Sequence, residues 1–167
     1  MNTGIQRSSS TPFKSWSSTT PVGKEAAGKK QASKYVPLLM AFHNIPYTAT
    51  ASVSFLDDFT QKLQKAKAVK DGMAYIHLLT PCPTGWRSPM DSTIELGRMA
   101  VETNYFPLWE AEEGKFRSTY IPKNPRPIQD YTKMMGRFSH LTEKDFEEMQ
   151  GMVDKRFNLI QSLAEIT

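Results

Sequence analysis

Cysteine is all but missing: Cys82 is the only one among 167 residues. A single thiol excludes an internal disulfide. Alone it cannot complete a zinc or iron–sulfur site, each of which takes about four ligands. Long apolar runs are missing too. No stretch approaches the roughly eighteen uninterrupted apolar residues of a membrane span, and MNTGIQRSSS lacks the apolar centre of a secretory leader. A soluble, cytoplasmic protein is therefore expected. Histidine occurs three times, at His43, His77 and His140, with separations that fit no metal-binding spacing, and each is read as structural. There is no internal repeat. With 39% hydrophobic residues, the chain can build one core of ordinary size rather than two comfortable domains.

What charge there is lies unevenly. Residues 1–34 carry Arg7, Lys14, Lys24, Lys29, Lys30 and Lys34 against Glu25 alone, a balance of +5, whereas the remaining fifteen basic and sixteen acidic groups come to −1. The same segment is rich in Ser, Thr, Gly and Pro. By composition it is either a flexible tail or a basic arm for phosphate or nucleic acid. Aromatic and basic residues interleave there only at Phe13-Lys14-Ser15-Trp16, which does not make a base-stacking platform.

From Tyr35 the periodicity predicts regular elements. Val36, Leu39, Met40 and His43 share a helical face over 35–43, and Asn44 and Pro46 end it. IPYTATAS reads as a strand. Ser54 with Asp57 resembles a capping box, and Phe55, Phe59, Leu63 and Ala66 keep helical spacing over 55–70. MAYIHLLT (73–80) is nearly continuous in apolar character, as suits a parallel strand covered on both faces, so a βαβ unit is expected. Ser88, Pro89 and Asp91 make a helix start, with Met90, Ile94, Gly97 and Val101 as its buried stripe. YFPLWEAEEGKFRSTYI predicts a hairpin turning at Glu113-Gly114. Thr142 with Asp145 opens a last helix whose apolar face is Phe146, Met149, Val153, Phe157, Ile160 and Ala164.

This reading sets TPCPTGW (80–86) just beyond the carboxyl end of a parallel strand, where open α/β sheets bind their ligands. Cys82 there is either a small buried hydrophobe closing the strand or a ligand waiting for companions. Three stretches, NTGIQRSSSTP, IPYTATAS and AYIHLLTPCPTGW, bear on the choice. In that order they resemble the C-terminal part of the thiamine-diphosphate-binding beta subunit of 2-oxoacid:ferredoxin oxidoreductases, the pyruvate synthase family. The likeness runs over most of the chain and is most specific in NTGIQRSSSTP and PCPTGW.

The resemblance implies an α/β fold. Residues 1–104 would be the C-terminal part of a parallel-sheet domain binding thiamine diphosphate, including an active-site loop over 1–34. Residues 105–167 would be a hairpin and helical extension. It implies three cofactors: thiamine diphosphate, Mg2+ and a [4Fe-4S] cluster. Cys82 matches the cysteine that provides the fourth cluster ligand in the family. The other three, and the aspartate turn that holds magnesium, would lie upstream of Met1, so the chain reads as a fragment that is inactive by itself. Asn2 matches the asparagine whose amide faces the reacting carbons, with Thr3 and Gly4 forming the turn beside it. Ile5 stands where many relatives have a second glycine. Trp86 either covers the cluster or fills a core gap.

The implied reaction is oxidative decarboxylation of pyruvate or a related 2-oxoacid with coenzyme A, giving an acyl-CoA and reduced ferredoxin. The implied partners are the other subunits of the oxidoreductase and ferredoxin, with neither nucleic acid nor membrane involved. Two other readings stand beside it: a non-catalytic basic interaction module and an inactive truncated product.

Overall fold

A computed structural model describes residues 3–25 and 27–167. Behind the N-terminal loop, Val36–Phe42 form α1, with Pro37 in its first turn where a missing amide costs nothing. Asn44, at φ 55°, turns the chain out of that helix. β1 (Tyr47–Ser52), α2 (Leu56–Ala68) and β2 (Ala74–Leu79) then build the expected βαβ unit, with Tyr47 level with Ala74 and Ser52 level with Leu79. A single helical turn, α3 (Pro83–Trp86), and a 3-10 turn (Met90–Ser92) lead into α4 (Thr93–Glu102). β3 (Leu108–Glu112) and β4 (Lys115–Tyr120) are the hairpin. Glu113 and Gly114 both hold positive φ, which matches the right-handed twist of the strands they join. Short α5 (Ile128–Thr132) and long α6 (Glu143–Ile166) complete the fold.

The strands form one sheet in the order β2-β1-β3-β4. The fold is α/β as expected, with a sheet that is parallel between β1 and β2 and antiparallel elsewhere. β3 pairs with β1, Tyr47 opposite Glu112 and Ala49 opposite Glu110, so the hairpin of 105–167 extends the same sheet as the βαβ unit.

Three local expectations change. β2, expected to be covered on both faces, has only β1 beside it among the described residues; it is half-buried over 74–77, exposed at Leu78 and buried only at Leu79. The Ala- and Thr-rich β1, flanked on both edges, is buried at all six positions. Ser54 does not cap α2, whose first turn has no side-chain cap. Its hydroxyl points instead at α4, where a Cβ on Gly97 would come within 2.1 Å of Ser54 Oγ. The start at Ser88 is also uncapped, because the 3-10 turn intervenes and shifts the helical phase. Met90 and Ile94 are exposed, and Leu96, Gly97, Met99, Ala100 and Val101 form the buried stripe.

α6 begins with the predicted capping box, in which Thr142 and Asp145 satisfy each other's amides. It buries Phe146, Met149, Val153 and Ile160, while Phe157 and Ala164 are half-buried. Two cores result. One gathers Leu79, Trp86, Leu96, Ile128, Tyr131 and Phe138, and the other stacks Trp109 and Phe116 under Ala41 and Ile160. No described helix is long and apolar enough to cross a membrane.

Candidate cofactor site at the Cys82 loop

Beyond the carboxyl end of β2, Pro81 is buried and Cys82 is half-buried. Cys82 precedes α3 in an extended conformation, and its carbonyl accepts the Trp86 N–H at 2.9 Å. The proline before it, the proline after it and that hydrogen bond hold the thiol at the rim of the core containing Trp86, Tyr131 and Phe138. Arg87 closes the turn in the left-handed region, at φ 57°.

The single turn of α3 turns Gly85 toward the N-terminal segment. A Cβ on Gly85 would lie 1.4 Å from the Thr3 carbonyl oxygen and 3.5 Å from Cys82 Sγ. Reciprocally, a Cβ on Gly4, at φ 87°, would lie 2.3 Å from the Gly85 carbonyl oxygen. Two glycines thus let two backbones touch beside the thiol, a close approach that any side chain would prevent. Thr3, Gly4 and Cys82, far apart in sequence, meet here. Asn2 lies outside the described residues, and so does its expected amide contact.

A third segment closes around the same point. The Arg137 guanidinium is fully buried and lies over the Trp86 ring, 4.3 Å from its centroid, with Phe138 at 5.1 Å. Its carbonyl accepts the Trp16 N–H at 3.0 Å, and the neighbouring Gly136 N–H donates to the Arg87 carbonyl at 2.9 Å. Arg87 in turn stacks on Trp16, 3.6 Å from the ring centroid. Burial pulls the Arg137 pKa down, and a hydrogen bond with Tyr131 opposes it. An arginine keeps its proton through such a contest, so the site contains a permanent buried cation.

The N-terminal loop is folded over this junction rather than loose. Lys29, 3% exposed, donates to the carbonyls of Ser9, Thr11 and Ala32, at 3.3, 2.7 and 3.2 Å. Lys14 pairs with Asp145 at 3.0 Å, and its carbonyl meets His140 Nε2 at 2.8 Å. Two of the cations that suggested a basic arm are therefore consumed in holding the loop to the body. The Arg7 guanidinium is bound to Gln31.

Sequence reasoning singled out the thiol and the glycine turn. It missed Arg137, whose one visible sign is a charged residue set between apolar neighbours in MMGRF. The histidines stay apart from the site chemistry. Burial lowers His77 to about 4, beside Tyr75 and Phe106, and also lowers His140. His43 is exposed at the end of α1.

These surroundings can be tested against the implied cofactors. A half-buried thiol, backed by an aromatic wall and a fixed positive charge, suits one thiolate corner of an anionic iron–sulfur cluster. Magnesium is different. Among the described residues no three His, Cys, Asp or Glu side chains converge, so these residues do not by themselves fit a magnesium site.

No family model matches the chain. Individual relatives do. Over 160 residues it is 47% identical to the pyruvate synthase subunit PorB of Methanocaldococcus jannaschii, covering 96% of this chain and 53% of that protein. It is 47% identical over 169 residues to the ketoisovalerate oxidoreductase subunit VorB of Pyrococcus abyssi, covering 99% of this chain and 54% of the relative. With the beta subunit of the NADH-dependent phenylglyoxylate dehydrogenase of Aromatoleum evansii the identity is 44% over 167 residues, 99% of this chain and 37% of that one. The chain spans about half the length of the first two relatives. With such identity along nearly its whole length, the chain belongs to the family of oxidoreductase subunits that includes pyruvate synthase PorB and ketoisovalerate oxidoreductase VorB.

Proposed function

We propose that this chain is the part of a 2-oxoacid:ferredoxin oxidoreductase beta subunit that stands between thiamine diphosphate and an iron–sulfur cluster. The observation that carries the reading is the contact of Thr3 and Gly4 with Gly85 beside Cys82 Sγ. It joins the segment expected at one cofactor to the residue expected at the other. Cys82 would ligate the cluster, and Asn2, Thr3 and Gly4 would border the thiamine diphosphate. When bound, thiamine diphosphate supplies an electron sink for loss of carbon dioxide from a 2-oxoacid, and the cluster supplies a one-electron carrier.

The chain's own residues do the positioning. Gly4 and Gly85 permit close approach, Trp86 walls off solvent, and the Lys29-centred loop with its Lys14–Asp145 pair lies over the junction. The Asn2 amide would donate to a developing oxyanion without titrating. The substrates would be pyruvate or a related 2-oxoacid and coenzyme A, and the partners the remaining subunits and ferredoxin, in the cytoplasm. The names of the relatives differ in the oxoacid, so the class of substrate is better supported than its side chain. The reading as a basic interaction module loses support, since Lys14 and Lys29 are engaged within the fold.

The test is Cys82→Ala in the assembled enzyme. Iron content should fall and ferredoxin reduction should collapse, while exchange of carbon dioxide into the 2-oxoacid carboxyl group persists at a reduced rate. Full iron and undiminished ferredoxin reduction would make Cys82 a buried hydrophobe and overturn the reading.

A further inference from the structure

We propose that Arg137 sets the reduction potential of the group held by Cys82, as a buried, undissociable positive charge fixed behind Trp86. The inference rests on the assignment of Cys82 as a cluster ligand. Its independent support is geometric. Arg137 has no exposed surface, and its guanidinium is clamped over Trp86 at 4.3 Å and near Phe138 at 5.1 Å. Its backbone is anchored by the Trp16 N–H, and Gly136 is tied to Arg87 within the same loop that carries Cys82. Trp86 is 1% exposed and Tyr131 fully buried, so little water screens the charge from the thiol. The Trp86 N–H donates to the Cys82 carbonyl at 2.9 Å, so the ring under the guanidinium belongs to the same turn as the thiol.

Burying a guanidinium is costly, and simple packing would be served better by an apolar side chain of similar volume. A functional return is therefore expected. Reduction adds one electron to an already anionic group, and a fixed cation in a poorly polarisable setting favours the more negative state. Arg137 therefore raises the potential and makes the cluster a more willing acceptor. It touches neither substrate nor cofactor in this account and acts through its field, as a positioning and tuning residue.

The experiment is a redox titration of the assembled enzyme, following the cluster signal that Cys82→Ala abolishes. Arg137→Gln removes the charge and should lower the potential so that the one-electron equilibrium shifts at least about tenfold, or 59 mV, with iron content unchanged. Arg137→Lys keeps the charge and should recover at least half of that shift. If Arg137→Gln fails to assemble, Arg137→Met, an apolar side chain of comparable length, gives the neutral comparison.

A neutral variant with full iron and an unmoved potential overturns the proposal. So does a lysine variant shifted as far as the neutral one, because volume rather than charge would then be at work. Failure of the underlying assignment looks different: Cys82→Ala would leave the cluster signal in place, whatever the Arg137 variants do.

Discussion

Two buried cations in this molecule hold different company. Lys62, on α2 beneath the sheet, is 1% exposed, and its amine donates to the Thr50 carbonyl at 2.8 Å and to Asp58 Oδ2 and Thr119 Oγ1 at 2.7 Å each. Burial lowers its pKa, and the Asp58 partnership opposes that. Next to it Glu110 receives Tyr47 and Lys65, each at 2.7 Å, and Arg117 Nε at 3.1 Å. In this ionic region each buried charge has partners of opposite sign, Asp58 for Lys62 and Lys65 with Arg117 for Glu110. Arg137 lies instead among rings, over Trp86 and near Phe138, at the back of the turn that carries Cys82. A charge neutralised by its own neighbours serves the fold. One held against aromatic faces also reaches, through Trp86, the turn that carries the Cys82 thiol.

The largest effect should come from breaking the junction on the Arg137 side. Gly85→Ala places a methyl 1.4 Å from the Thr3 carbonyl oxygen, so one of the two backbones must move. A displacement of about 1 Å between positioned groups costs on the order of 10²-fold in rate, and overpacking of this kind about 1–3 kcal/mol in stability. Turnover and iron content of the assembled Gly85→Ala enzyme test this. A variant with wild-type turnover would show that the contact does not position the site.

The ionic region should answer in stability alone. Replacing Glu110 with Gln strips a charged acceptor from Tyr47, Lys65 and Arg117. The loss should be about 1.5–3 kcal/mol, as for hydrogen bonds to charged groups, at the low end because Lys65 and Arg117 reach solvent. Thermal unfolding should register it, while the potential followed for Arg137 stays put. A shift in that potential would mean the two regions are not independent.

The same carboxylate makes a pH signature. Burial alone would raise the Glu110 pKa, but Lys65, Arg117 and Tyr47 overcome burial and bring it from the ordinary 4.5 to about 2. A folded-state pKa below the unfolded one means that the unfolded chain binds more protons between the two values. The stabilisation is therefore complete above about pH 4.5 and is lost as pH falls from there toward 2. Glu110→Gln should flatten the stability curve in that window and leave it unchanged near neutrality apart from the constant loss. An undiminished acid slope in the variant would assign the slope to other groups, Asp145 first, since its hydrogen bonds with Thr142 hold it near 2 as well.

Much of this arrangement was legible in the sequence because its signals are local. The α6 capping box, the Glu113-Gly114 turn and the βαβ order depend on near neighbours and were read correctly. Burial of β2 was misjudged because it depends on the number of strands alongside, and β3, which arrives from about sixty residues away, pairs with β1 instead. Cys82 stood out by its rarity and by the motif around it. Arg137 did not, because what distinguishes it is its place over Trp86 in space, and a charged residue in a short loop ordinarily points to water.

The smallest effect belongs to the outermost layer of the Cys82 side, the stack of Arg87 on Trp16 at 3.6 Å. Arg87 is exposed and occupies the left-handed region at φ 57°, so any substitution changes two things at once. Lysine keeps the backbone cost and exchanges a planar group for a compact ammonium, so Arg87→Lys isolates the stack. It should cost about 0.5–1 kcal/mol, as for an exposed cation–π pair, and lower Tm by about 1–4 °C in a chain of this size. Glycine loses the stack but relieves the left-handed strain, about 1–2 kcal/mol for a side-chain-bearing residue, less the entropy of a freer unfolded chain. Arg87→Gly should therefore sit at or slightly above wild type, and above Arg87→Lys. If glycine is instead the less stable of the two, the contact with Trp16 outweighs backbone strain. The aromatic region around Arg137 would then carry structural weight of its own, beside the ionic region around Lys62 and Glu110.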